Sequence, residues 1–100
     1  MTNHQLGRTQ QQHRTALPPA AVLAAAREFF QRGSGIYAAF VEKEGPTWMT
    51  LRGQGGEEIA IAAHEENGAT SVTGSSYMFD AQVALFLSSL PPALEAEAAS

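Results

Sequence analysis

Residues 36–73 read IYAAFVEKEGPTWMTLRGQGGEEIAIAAHEENGATSVT, and in them short runs of alternating apolar and polar residues are broken three times by glycine-centred turns. β-branched and aromatic residues between turn signals of this kind predict strands, here four of them. The turns also set the register. Asn67-Gly68 suits a two-residue hairpin loop whose central residues both take positive φ, which places Glu66 opposite Ala69, Glu65 opposite Thr70, His64 opposite Ser71 and Ala63 opposite Val72. Gly45-Pro46 suits a type II′ turn, with glycine supplying the positive φ and proline the negative φ that follows. Lys43 then lies opposite Trp48, Val41 opposite Thr50 and Phe40 opposite Leu51. The middle turn, Gly53-Gln54-Gly55-Gly56, is looser, and setting Leu51 opposite Ile59 keeps apolar residues together.

Side chains alternate across a strand, so these registers sort the sheet into two faces. Ile36, Ala38, Phe40, Met49, Leu51, Ile59, Ile61, Ala63 and Val72 form the expected core face. The second face collects Tyr37, Ala39, Val41, Lys43, Trp48, Thr50, Arg52, Ala60, Ala62, His64, Ser71 and Thr73. A wetted face of an antiparallel sheet alternates polar against apolar, whereas this one holds Tyr37, Ala39, Val41, Ala60 and Ala62, so a further layer is expected on it. Two helices on the core face would leave that layer to another molecule. One helix on each face would supply it from within, and the third reading is that scattered apolar residues on this face are simply tolerated in water.

Helical spacing flanks the strands on both sides. Val22, Leu23, Ala26, Phe29 and Phe30 form one apolar stripe on a helix that starts at Pro18 or Pro19, with Thr15 a candidate cap, and ends at Gly33. Phe79, Val83, Phe86, Leu87 and Leu90 form a second stripe on a helix from about Tyr77 to Leu90, which stops before Pro91-Pro92. Ser76 is its candidate cap, and Asp80 in the first turn suits the helix dipole. The predicted fold is α+β: α-β-β-β-β-α, a four-stranded antiparallel meander with two flanking helices. It occupies residues 16–92 as one domain. Residues 1–15, with Leu6 as their one large aliphatic residue, and residues 93–100 are read as disordered tails, because neither has apolar surface to offset the entropy of ordering.

Composition narrows the functional classes. At 100 residues, 44% hydrophobic and 16% charged, the chain has material for one core. No run approaches the ~18 apolar residues of a membrane span, and no cationic start leads into an apolar stretch, so the expectation is a cytoplasmic protein with no membrane contact. The absence of cysteine excludes disulfides and thiolate chemistry. Residues 1–15 hold Arg8 and Arg14 and no acid, so the overall charge of −4 becomes −6 for the remaining 85. A body this acidic is not built to neutralise phosphates, and no nucleic-acid partner is expected.

Catalytic signals are lacking. Glu42, Glu44, Glu65 and Glu66, with His64, gather at the end of the sheet shared by the first and third turns. Oxygen ligands with one imidazole suit a divalent cation, but no spaced acidic loop is present, and two solvated hairpin tips are the simpler reading. Ser34 within Gly33-Ser34-Gly35 has no strand-turn-helix context for a nucleophile, and Gly53, Gly55 and Gly56 precede a strand rather than the helix N-terminus that a phosphate loop needs. No catalytic, cofactor or metal site is therefore assigned, and an enzyme is the less favoured class. The preferred reading is a small acidic protein-interaction domain that homodimerises or captures a protein partner through its second sheet face, with Tyr37, Val41, Trp48, Thr50, Arg52, Ala60 and Ala62 as contacts. The alternatives are a ligand-binding or enzymatic domain with a pocket between helices and sheet, and an acidic adaptor or antidote that meets a basic protein through the hairpin-tip glutamates.

Overall fold

The computed structural model describes residues 8–33 and 37–93. Its elements run β1 (Arg8–Thr15), α1 (Pro19–Gln31), β2 (Ala39–Glu44), β3 (Trp48–Gly53), β4 (Glu58–Glu66), β5 (Ala69–Tyr77) and α2 (Asp80–Ser89). The five strands form one sheet in the order β1-β5-β4-β3-β2, every neighbouring pair antiparallel. The α+β class and the meander of β2 to β5 agree with the sequence reading, with one strand more than it counted.

That extra strand is a correction. Arg8–Thr15, expected to be part of a disordered tail, pairs along its whole length with β5, from Arg8 opposite Tyr77 to Thr15 opposite Thr70. Its helix-facing positions are polar and are held by hydrogen bonds instead of burial alone. Thr9 Oγ1 donates to Asp80 Oδ2 at 2.8 Å, Gln11 Nε2 to the Asp80 carbonyl at 3.0 Å, and the buried Thr15 hydroxyl to the Pro91 carbonyl at 2.6 Å. Thr15 thus fastens the strand to the segment after α2 and does not cap α1, whose N-cap is Pro18. The remaining tail residues, 1–7 and 94–100, lie outside the described residues, as do Ser34, Gly35 and Ile36.

Two of the three expected registers stand. Asn67 at φ 53° and Gly68 at φ 84° both take the left-handed conformation that a type I′ loop demands, and Glu66 faces Ala69 with His64 facing Ser71. Leu51 faces Ile59. The β2–β3 hairpin departs from expectation twice over. Its turn centres on Pro46-Thr47, closed by the Gly45 N–H donating to the Trp48 carbonyl at 2.8 Å, so Glu44 faces Met49 and Lys43 faces Thr50. A β-bulge at Glu42 then inserts one unpaired residue, and beyond it Val41 faces Leu51, Phe40 faces Arg52 and Ala39 faces Gly53. A single inserted residue reverses the face of everything past it. Ala39 is therefore buried, Val41 packs against the core and Phe40 turns outward, the reverse of the sequence expectation for each.

Both helices lie on the same face of the sheet: α1 crosses β2, β3 and β4, and α2 covers β5 and β1. Val22, Ala26 and Phe30 of α1 meet Val83, Phe86 and Leu87 of α2 above Met49, Leu51, Ile59, Ile61 and Val72. Phe30 and Phe86, both fully buried, lie with ring centroids 5.5 Å apart, and Phe29 makes a third ring at 5.1 and 5.5 Å from them. α2 approaches β5 at Gly74, where a Cβ would stand 2.6 Å from Val83 Cγ1; only hydrogen fits there. α2 begins three residues later than its sequence pattern suggests. β5 continues to Tyr77, and Met78 makes the turn into the helix at φ 85°, with Phe79 as N-cap where Ser76 was expected.

Candidate interaction surface

With both helices on one side, the other side of the sheet is bare of any further layer among the described residues. It carries Phe40 and Lys43 from β2, Trp48, Thr50 and Arg52 from β3, and Glu58, Ala60, Ala62, His64 and Glu66 from β4, as the register dictates. β5 adds Ser71, Thr73, Ser75 and Tyr77, and β1 adds Gln10, Gln12 and Arg14. The middle of the surface is small and low: Thr50, Ala60, Ala62, Thr73 and Ser75. The large side chains stand at its margins, Phe40 53% and Trp48 40% exposed on one side and Tyr77 at the far corner. Trp48 is set by its neighbour. A Cβ at Gly45 would overlap the indole nitrogen, so the absence of a side chain there lets the ring lie against the turn.

Of the seven residues expected at this surface, Trp48, Thr50, Arg52, Ala60 and Ala62 are on it. Tyr37 and Val41 are not. Tyr37 precedes β2 and stacks edge-on with Phe79 at 5.7 Å, and Val41 faces the core because of the bulge. Phe40 takes the place that Val41 was expected to hold, and no sequence signal short of the bulge announces it. Arg52 is tied down on three sides: its Nη2 donates to Glu42 Oε1 at 2.8 Å, its Nε to Glu42 Oε2 at 3.1 Å and its Nη1 to the Gly56 carbonyl at 2.9 Å. Glu58 Oε2 lies a further 3.8 Å from Nη2. The Arg52 hydrogen bonds hold the Glu42 carboxyl below its usual range, and the same pairing raises the guanidinium.

Three of the four hairpin-tip glutamates, Glu42, Glu44 and Glu66, each lie against an arginine instead of gathering into a site. Glu42 pairs with Arg52, Glu44 with Arg27 of α1 on the helix side, and Glu66 with Arg14 at 3.5 Å and His64 at 3.8 Å. Among the described residues, no group of three or more His, Asp or Glu side chains is placed to hold a metal ion. A depression of about 410 Å³ opens between the C-terminal end of α1 and α2, lined by Phe29, Arg32, Gly33, Tyr37, Gln82 and Leu85. A second, of about 340 Å³, is lined by Gly55, Gly56, Glu57, Tyr77 and Met78. The first lies between the helices, not between helices and sheet, and has neither His64 nor a carboxylate in its lining. Among the described residues, no helix is long and apolar enough to cross a membrane.

Charge sets the bare face apart from the rest of the molecule. Among the side chains described, Arg14, Lys43 and Arg52 stand on it against Glu58 and Glu66, with Glu42 reaching Arg52 from the bulge, an even balance in a chain of net charge −4. Compared with known proteins, the chain matches no family model, no curated protein and no solved structure.

Proposed function

We propose that this chain is a non-enzymatic protein-interaction domain whose bare sheet face packs against the same face of a second copy. One observation carries the reading: the face left uncovered by both helices is also the electrically balanced one, with exposed aromatics at its margin and small residues at its centre. An acidic chain pairs with itself most readily where like charges do not confront one another. Two twisted sheets stack about 10 Å apart when their facing side chains interdigitate. Small central residues leave room for the marginal rings of the opposing copy, and aromatic anchors seated in pockets supply most of the affinity in such contacts.

Light scattering tests it. Trp48→Ala should halve the solution mass, and added salt should leave the wild-type mass nearly unchanged, because an apolar contact is little screened. An unchanged mass for Trp48→Ala, together with wild-type tryptophan emission already typical of an indole in water, would refute the proposal. A mass that falls steeply with salt would instead favour an ionic contact through Glu42, Glu44, Glu65 and Glu66.

A further inference from the structure

The two edges of the sheet are unlike. β2, at one edge, carries a bulge at Glu42 and the charged run Glu42-Lys43-Glu44, features that discourage the addition of a strand. β1, at the other, is eight residues long, paired without irregularity to β5, and has no proline, no bulge and no formal charge from Thr9 to His13. Its far end is closed where Thr15 bridges to Pro92; among the described residues, no strand pairs with the outer side of the stretch before it, which presents a row of backbone donors and acceptors.

We infer that β1 is a second self-association site, independent of the bare face: β1 of one copy pairs antiparallel with β1 of another about a twofold axis through Gln10. Only registers that keep both pairs of helices on one side of the joined sheet are allowed, and centring on Gln10 meets that condition. It sets Thr9 opposite Gln11 and Arg8 opposite Gln12, clear of the Thr15–Pro92 closure and of Arg14, which Glu66 already holds. No carboxylate lies in the seam.

Helix α2 provides the second, separate observation. It rides over β5 and β1, so with strands about 4.8 Å apart its axis lies about 5 Å inside the seam, and its twofold mate would lie about 10 Å away. Packed helices stand about 8–10 Å apart. The flank of α2 turned away from α1 carries Asp80, which already reaches β1, and then the exposed Ala84 and Ser88, small enough for such an approach. Edge pairing and helix packing would therefore form together, extending the sheet to ten strands.

Because Gln10 meets itself on the axis, a charge of either sign there opposes its own copy. The experiment is sedimentation of variants in the Trp48→Ala background, where the face contact is removed. With both contacts made, wild type should run at four times the 10.6 kDa chain mass and the Trp48→Ala background at twice it, which is the halving expected on loss of the face contact. Gln10→Lys and Gln10→Glu should each run at the single-chain mass, and an equal mixture of the two should recover the doubled mass. Gln10 is exposed on an edge strand, so neither change threatens folding. A single-chain mass for Trp48→Ala alone, charge variants that stay paired, or a mixture that fails to recover would each overturn the β1 assignment. Failure of the face contact reads differently: wild type and Trp48→Ala would share the doubled mass while Gln10→Lys still halved it.

Discussion

Replacing Gly74 with alanine tests the seat of α2 on β5. The added Cβ would stand 2.6 Å from Val83 Cγ1 and 3.4 Å from Ile61 Cδ1, so Val83 or the helix carrying it must retreat by about an ångström to reach ordinary van der Waals distance. Val83 is fully buried in the core, so its retreat displaces packed neighbours. Overpacking of this kind costs about 1–3 kcal/mol, against which alanine recovers about 0.5–1 kcal/mol over glycine within a strand. The net expectation is a loss of about 1–2 kcal/mol, or a melting point lower by roughly 10 °C in a domain of this size. Urea or thermal denaturation followed by circular dichroism reads it directly. Val83→Ala alone leaves a cavity and costs about 2 kcal/mol. In the double variant the new methyl occupies part of that cavity, so the two losses should fall short of additive by about 1–2 kcal/mol. A Gly74→Ala variant as stable as wild type, or strict additivity in the cycle, would refute the claim that this contact limits how closely α2 can sit.

Two other perturbations follow from local geometry. Met78 holds φ at 85° with its side chain 69% exposed, so Met78→Gly relieves about 1–2 kcal/mol of left-handed strain, gives back part of it as chain entropy, and should raise stability by about 0.5–1 kcal/mol in urea titration; a destabilised variant would show that the Met78 side chain contributes packing. The Arg52 hydrogen bonds depress the Glu42 carboxyl, so the stability they lend is present above the ordinary carboxylate range and is lost as pH falls through the lowered one. Glu42→Gln should therefore be less stable than wild type at neutral pH, with the gap between their urea midpoints closing in acid; a gap that stays constant into acid would exclude that ion pair as its source.

What could be read from the amino-acid order depended on how locally each feature is determined. Asn67-Gly68 specifies its own turn through two positive φ angles, and everything paired across it followed, including the placement of Ala62 and His64 on the bare face. The helix stripes were equally legible because Val83, Phe86 and Leu87 repeat at helical spacing within one element. The β2 face was not. Gly45 suggested a glycine needed for its φ, whereas its position is set by the indole of Trp48 lying against it, and the Glu42 bulge depends on pairing with a strand already in place. That single residue cost the expected surface Val41 and supplied Phe40. β1 escaped notice for a different reason: hydrophobic alternation reports strands that bury apolar side chains, and Thr9, Gln11 and Thr15 are held by hydrogen bonds to Asp80 and Pro91.

The position of β1 in the chain has a bearing on synthesis. Among the described strands it is made first, yet its neighbour in the sheet order is β5, so it waits through α1 and three further strands before that partner exists. A hydrophobic strand left alone for that interval would invite aggregation on the ribosome. Arg-Thr-Gln-Gln-Gln-His-Arg-Thr is a sequence that water can hold until its place is ready.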